Sequence, residues 1–187
     1  GGGRCGAGGV GGMTREDTDL RDRDLSSHLP LGGRDQIANC VNAVEARLAL
    51  RARGMNIPDS AIVRGIGETF FPVRMEVVSR CPTVILDGAH NDSGAAALSG
   101  SLEGLVTGRL VMLIGMRKDK DVRHAISRTL PRADRVYTVE PLDNPRAMPS
   151  DELAALAGEY GADVRPWGKE LDGAFADAYD SLSPEDT

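Results

Sequence analysis

No Gly-x-x-x-x-Gly-Lys-Ser/Thr stretch occurs anywhere in the 187 residues, so the chain carries no phosphate-cradling loop of that type. Its one Gly-Lys pair, Gly168-Lys169, is followed by Glu170. No Gly-x-Gly-x-x-Gly follows a strand, and no Gly-x-Ser-x-Gly elbow appears, so neither dinucleotide-fold nor serine-hydrolase chemistry is signalled. No run approaches the roughly 18 apolar residues of a membrane span. No charged stretch leads into an apolar one near the start, so no signal peptide is expected. Cys5, Cys40 and Cys81 show no paired spacing and no histidine at ligand spacing; this excludes a structural zinc site and implies reduced thiols in a cytoplasmic protein. Basic residues are too few to balance the acids, and a net charge of −6 argues against nucleic acid or an anionic membrane as partner.

What is present suffices for a core: 41% of residues are hydrophobic. Residues 1–28 are first glycine-rich and then charged, and read as a flexible lead-in. From Asp35 the positions Ile37, Val41, Val44 and Leu48 recur at helical spacing and predict a helix ending near Gly54. A short helical or irregular segment follows from Pro58 through Ile62, and Gly65 and Gly67 mark a boundary. Beyond Pro72 the pattern changes. Strands are predicted over 74–78, 83–86, 110–114, 135–139 and 164–167. Helices are predicted from about Ser93 to Leu105, from Asp119 with Val122, Ile126 and Leu130 on one face, from Ser150 as N-cap, and across Leu171, Phe175 and Tyr179. Alternating strands and helices with short loops define an α/β fold, a mostly parallel sheet with helices on both faces.

In such sheets ligands bind beyond the carboxyl ends of the strands, which directs attention to the loops after Leu86, Ile114 and Val139. The first is Asp87-Gly88-Ala89-His90-Asn91, a carboxylate, an imidazole and an amide on one tight loop before a helix. Backbone N–H groups there can hold an anion while the carboxylate takes a hydroxyl or a hydrated metal ion. The same Asp and Asn can equally serve as plain turn and cap residues. Arg74, on the neighbouring strand, can donate in a fork to phosphate oxygens, or lie in a salt bridge at the surface. The charged run Arg117-Lys118-Asp119-Lys120-Asp121 and the segment Asn144-Pro145-Arg146 occupy the other two loops; a solvated helix start explains the first as simply. His28 and His124 read as surface residues.

Taken together, Phe71-Pro72-Val73-Arg74-Met75-Glu76-Val77-Val78 and Val84-Ile85-Leu86-Asp87-Gly88-Ala89-His90-Asn91 closely resemble the opening of the C-terminal domain of folylpolyglutamate and dihydrofolate synthases, members of the Mur ligase superfamily. The resemblance continues through Asp119-Lys120-Asp121 and Asn144-Pro145-Arg146-Ala147. Upstream, Leu31-Gly32 and Asp35-Gln36-Ile37-Ala38-Asn39 resemble the end of that family's central ATPase domain. It implies a division into residues 29–66, the end of the central domain, and 70–183, the C-terminal ligase domain. It also implies ATP and Mg2+ as cofactors, with L-glutamate and a folate or dihydropteroate as substrates. In that chemistry the γ-phosphate passes to a substrate carboxylate and the glutamate amine attacks the acyl phosphate, which calls for positioning and electrostatic stabilisation. By resemblance Asn39 contacts the adenine, Arg74 the phosphates, Asp87 the ribose or the metal–nucleotide, and His90 lines the catalytic site where nucleotide and glutamate meet.

Three departures stand out: Val73 replaces a usual Gly, Asp92 a usual Pro, and Asp35 a frequent His. They bear on nucleotide affinity more than on the fold. The resemblance places the phosphate loop and most metal ligands in a part of the family that this chain does not contain, so the chain alone is expected to be inactive and to need a missing or separate ATPase half. A peptidoglycan precursor ligase domain and a non-catalytic, degenerate nucleotide-binding remnant are the alternatives.

Overall fold

The computed structural model describes residues 28–31, 34–118 and 121–187, with the backbone alone at 34 and 35. Most of the expected lead-in, and with it Gly32, Asp119 and Lys120, lies outside the described residues. The chain divides into two compact units, one ending at Glu76 and the other spanning Val77–Thr187.

Among the described residues of the first unit are two helices, α1 (Arg34–Ala52) and α2 (Asp59–Gly67). The apolar stripe of α1 is only partly used: Val44 is buried, whereas Leu48, expected on the same face, is exposed. Arg47 is buried instead. Its guanidinium donates to the Ile57 carbonyl and to the Asp59 carboxylate, and Arg51 also donates to Asp59. One buried cation thus ties the end of the α1–α2 connection to the first turn of α2, where an acid also suits the helix dipole. Gly54, at φ +92, supplies the left-handed turn after α1. The second helix runs on past Ile62, where the sequence predicted an end, to the glycines that predicted the boundary.

Strand β1 (Glu76–Arg80) starts two residues later than expected. Val73 and Met75 both take positive φ, +59 and +49, so extended backbone begins only at Glu76. It pairs with β2 (Thr83–Leu86) across a turn containing a cis Cys81–Pro82 bond. Cys81 is disulfide-bonded and Cys40 is a free thiol, which corrects the expectation of three reduced cysteines.

The remaining elements are α3 (Asp92–Leu102), β3 (Val111–Ile114), α4 (Val122–Thr129) continued by a 3-10 turn, β4 (Arg135–Thr138), α5 (Ser150–Gly158), β5 (Asp163–Pro166) and α6 (Leu171–Asp180). Strands β3, β4 and β5 form a parallel sheet in that order, with Met112 opposite Val136 and Val136 opposite Val164. Successive residues of a strand face opposite sides, so β4 shows what covers each. Val136 joins Ile126 and Leu130 after α4 and Leu153 and Ala157 of α5 in the core. Tyr137, on the other side, donates from its phenol to the Asp177 carboxylate of α6 at 2.6 Å. Helices therefore cover both faces, as the alternating pattern predicted. Ile126, Leu130, Val136 and Leu153 are fully buried, and each contributes about 1.5–3 kcal/mol of transfer free energy.

One expectation at α5 is corrected. Ser150 is the first residue of the helix and makes no side-chain cap. Its hydroxyl accepts the Gly168 N–H while its carbonyl accepts the Thr138 hydroxyl, so it fastens the end of β4 and the loop after β5 instead.

Candidate functional site

The loop Asp87–Asn91 leaves the carboxyl end of β2 and ends as the N-cap of α3, so each of its polar groups is fixed by local backbone. Asp87 is half-buried, and its Oδ1 accepts the Ala89 N–H at 2.8 Å, closing an Asx-type turn. His90 is exposed, and its Nδ1 lies 2.8 Å from the Gly88 carbonyl. A carbonyl only accepts, so Nδ1 is the donor of this contact, which leaves Nε2 as the acceptor of the neutral ring. Asn91 Oδ1 accepts the Gly94 N–H at 2.8 Å and the Ser93 hydroxyl at 3.2 Å. The loop folds this closely onto the helix because residue 94 is Gly: a Cβ there would lie 3.1 Å from Asn91 Oδ1 and 3.4 Å from the Ala89 Cα.

Asp92, which departs from the resemblance by adding negative charge beside an anion site, is paired. Its Oδ1 accepts from Arg128 Nε of α4 at 3.1 Å. Both side chains are about half exposed, so the pair is weak in stability terms, but it offsets the added charge locally. Nothing in the spacing of Asp92 and Arg128, 36 residues apart, signals this contact.

The loops after β3 and β4 are joined. Arg117 and Ala147 form an antiparallel bridge, the Lys118 N–H donates to the Arg146 carbonyl, and the Met148 N–H donates to the Met116 carbonyl. Asn144 Oδ1 accepts the Arg146 N–H and shapes the second loop. Of the run 117–121, Asp121 caps α4 by accepting the His124 N–H, and its other oxygen lies 2.6 Å from His124 Nδ1. These hydrogen bonds hold the Asp121 carboxyl below its usual range. His124 therefore has a partner that the sequence reading did not assign, although both groups are exposed and act as a helix cap.

Arg74 and Asn39 belong to the first unit. Arg74 is half-buried with its guanidinium 5.7 Å from the centre of the Phe71 ring, a cation–π arrangement that orients it. Phe71 is the functional neighbour that sequence reasoning missed, and its three-residue spacing from Arg74 is the signal that could have found it. The Val73 N–H donates to Glu76 Oε2 and holds the turn that carries Arg74. Asn39 is exposed on α1, and its Nδ2 donates to Gln36 Oε1 at 3.3 Å.

A carboxylate with one oxygen in a turn, an imidazole with an acceptor Nε2 and the N-terminus of an 11-residue helix suit an anionic, hydroxyl-bearing ligand such as a nucleotide. They do not suit a bare cation: among the described residues no group of three His, Cys, Asp or Glu is placed to hold a metal ion.

Residues 73–187 match the family model "Mur ligase, glutamate ligase domain", and the chain belongs to that family. The chain is 36% identical over 138 residues to a dihydrofolate synthase/folylpolyglutamate synthase of Escherichia coli, covering 73% of this chain and 32% of that protein. It is 33% identical over 165 residues to a probable bifunctional folylpolyglutamate synthase/dihydropteroate synthase of Halobacterium salinarum, covering 88% of this chain and 20% of that protein. Its structure is similar to that of the bifunctional folylpolyglutamate synthase/dihydrofolate synthase of Yersinia pestis complexed with AMPPNP and Mn ion. The TM-score there is 0.71 at 28% identity, over 90% of this chain and 38% of that one. The chain thus spans well under half the length of these relatives. Among the described residues no helix is long and apolar enough to cross a membrane.

Proposed function

We propose that this chain is the C-terminal part of an ATP-dependent ligase that adds L-glutamate to the carboxylate of a folate or dihydropteroate through an acyl phosphate. The observation that carries the reading is the Asp87–Asn91 loop, held at the end of β2 and the start of α3 inside the family match. The names of the relatives support the folate branch over a peptidoglycan precursor ligase. The nucleotide analogue and manganese in the Yersinia pestis complex support ATP with a divalent cation. In this reading residues 29–66 close the central ATPase domain and 70–183 form the C-terminal ligase domain. Asn39 contacts the adenine, Arg74 the phosphates and Asp87 the ribose or the metal–nucleotide. His90 lines the catalytic site with its Nε2 lone pair available to an incoming ammonium proton. In this reading the activity belongs to the cytoplasm, where ATP and glutamate are supplied.

The remaining ligands come from an ATPase half, and the chain alone turns over no substrate. Mixing it with a separately produced ATPase half and following ATP-dependent incorporation of labelled glutamate into dihydropteroate or a folate tests this. Activity that needs both parts, prefers glutamate over other amino acids and falls at least about tenfold with Asp87→Ala is expected. No product with an ATPase half shown to be folded would leave a non-catalytic remnant as the better reading.

A further inference from the structure

Residues 87–94, the stretch assigned above to a nucleotide, contain two carboxylates and no lysine or arginine. Asp87 has one oxygen in its own turn, and Asp92 stands in the first turn of α3. An acid in that turn is drawn to the same helix-terminal N–H groups that would hold a ligand anion, and its charge repels the anion. A cation comes from another element. Arg128, in the last turn of α4, donates from Nε to Asp92 Oδ1 at 3.1 Å.

A second pair links the same two elements at the other end of α3. Arg132, in the 3-10 turn that continues α4, lies 3.4 Å from the carboxylate of Glu103, the residue after α3. The four side chains are all substantially exposed, so neither pair adds much to stability. They differ in place. Eleven helical steps of about 1.5 Å put Glu103 about 16 Å from Asp92, some two Debye lengths at physiological salt.

We propose that Arg128 is a positioning residue of the ligand site: it draws the Asp92 carboxylate toward α4 and cancels its charge, so that the loop of residues 87–91 and the start of α3 accept a nucleotide phosphate. This role rests on the nucleotide reading of the loop. It gives Asp92, which stands where the resembling family usually has Pro, a counter-ion within the chain itself. Without Arg128 an incoming phosphate meets one more uncompensated negative charge. Arg132 and Glu103, joining the same elements beyond the reach of that field, serve as the internal control.

The test titrates ADP into the full chain at low ionic strength and follows the amide resonances of residues 88–94. Arg128→Gln is expected to weaken ADP binding at least about threefold, the size expected of one added charge near the phosphates in water. Adding Asp92→Asn to that variant is expected to restore the affinity, and Arg132→Gln alone to leave it unchanged. At about 0.5 M salt, where the Debye length is about 4 Å, the parent and Arg128→Gln should converge. A merely structural role for Arg128 would be neither rescued by Asp92→Asn nor erased by salt. If Arg128→Gln binds ADP as the parent does, or if Asp92→Asn fails to restore the loss, the proposal is overturned while the nucleotide reading stands. If ADP leaves these amides unmoved in the parent chain as well, the nucleotide reading of the loop and this role fall together.

Discussion

Val73 holds a left-handed backbone, φ +59, that a β-branched residue adopts only under strain. Such a conformation costs about 1–3 kcal/mol, and the added freedom of glycine in the unfolded chain costs about 1 kcal/mol. Val73→Gly is therefore expected to raise unfolding free energy by about 1 kcal/mol, seen as a higher urea midpoint with an unchanged slope. An unchanged or lower midpoint would show that the turn is relaxed as it stands. This position also marks where sequence reading stops at the single residue. The departure from Gly was visible in Phe71-Pro72-Val73-Arg74, but the dihedral angle that gives it meaning was not. In the Asp87–Asn91 loop, by contrast, residue types and position alone pointed to a strand end and a helix start, and both are present. What the types did not disclose is that Gly88 fixes the His90 tautomer and that Asp87 spends one oxygen on its own turn.

Among the elements, α3 depends on Asn91 at its first turn. Asn91→Ala removes the acceptor for the Gly94 N–H and is expected to cost about 1 kcal/mol, whereas Asn91→Asp keeps it and costs little. Equal losses for both variants in thermal denaturation would mean that the cap contributes nothing. At α5, Leu153 is fully buried against β4, and Leu153→Ala is expected to cost about 2–5 kcal/mol in chemical denaturation. The six helices and five strands among the described residues were legible because apolar residues recur with periods of 3.6 and 2. The misses came where a tertiary partner outbid local preference. Arg47 took the buried place that periodicity shared with Leu48, because Asp59 and the Ile57 carbonyl both accept from its Nη2, although its buried Nε has no partner. Ser150 gave its hydroxyl to Gly168 and not to its own helix.

At the scale of the whole molecule, Asp186 anchors the chain end. Its carboxylate accepts the Ser183 and Arg109 N–H groups and the Arg109 guanidinium, and its side chain is 4% exposed. The Ser183 N–H foremost, with Arg109, lowers its pKa to about 2 from the usual value of 3.8. A carboxyl more acidic in the folded state adds stability that is fully present above the unfolded pKa and is lost as pH falls toward about 2. The unfolding midpoint of the chain is thus expected to fall between roughly pH 4 and pH 2. Asp186→Asn should be less stable near neutrality by about 1–3 kcal/mol and show a flatter acid dependence. A variant with the parent's acid profile would remove Asp186 from the account. This clamp was not legible beforehand, because it joins residues 77 positions apart through backbone N–H groups that every sequence possesses. The parallel sheet of β3, β4 and β5 was foreshadowed by the alternating pattern, while its strand order and the division into two sheets depend on pairing between distant segments.

The joined loops after β3 and β4 have a consequence for anyone altering this surface. Because Met116, Lys118, Arg146 and Met148 exchange backbone bonds, the two segments behave as one hairpin assembled from separate stretches of chain. Lengthening either loop alone would shear that pairing, whereas equal insertions on both sides would carry it outward intact. Grafts and chimaeras should therefore exchange residues 115–118 and 141–148 as a matched set.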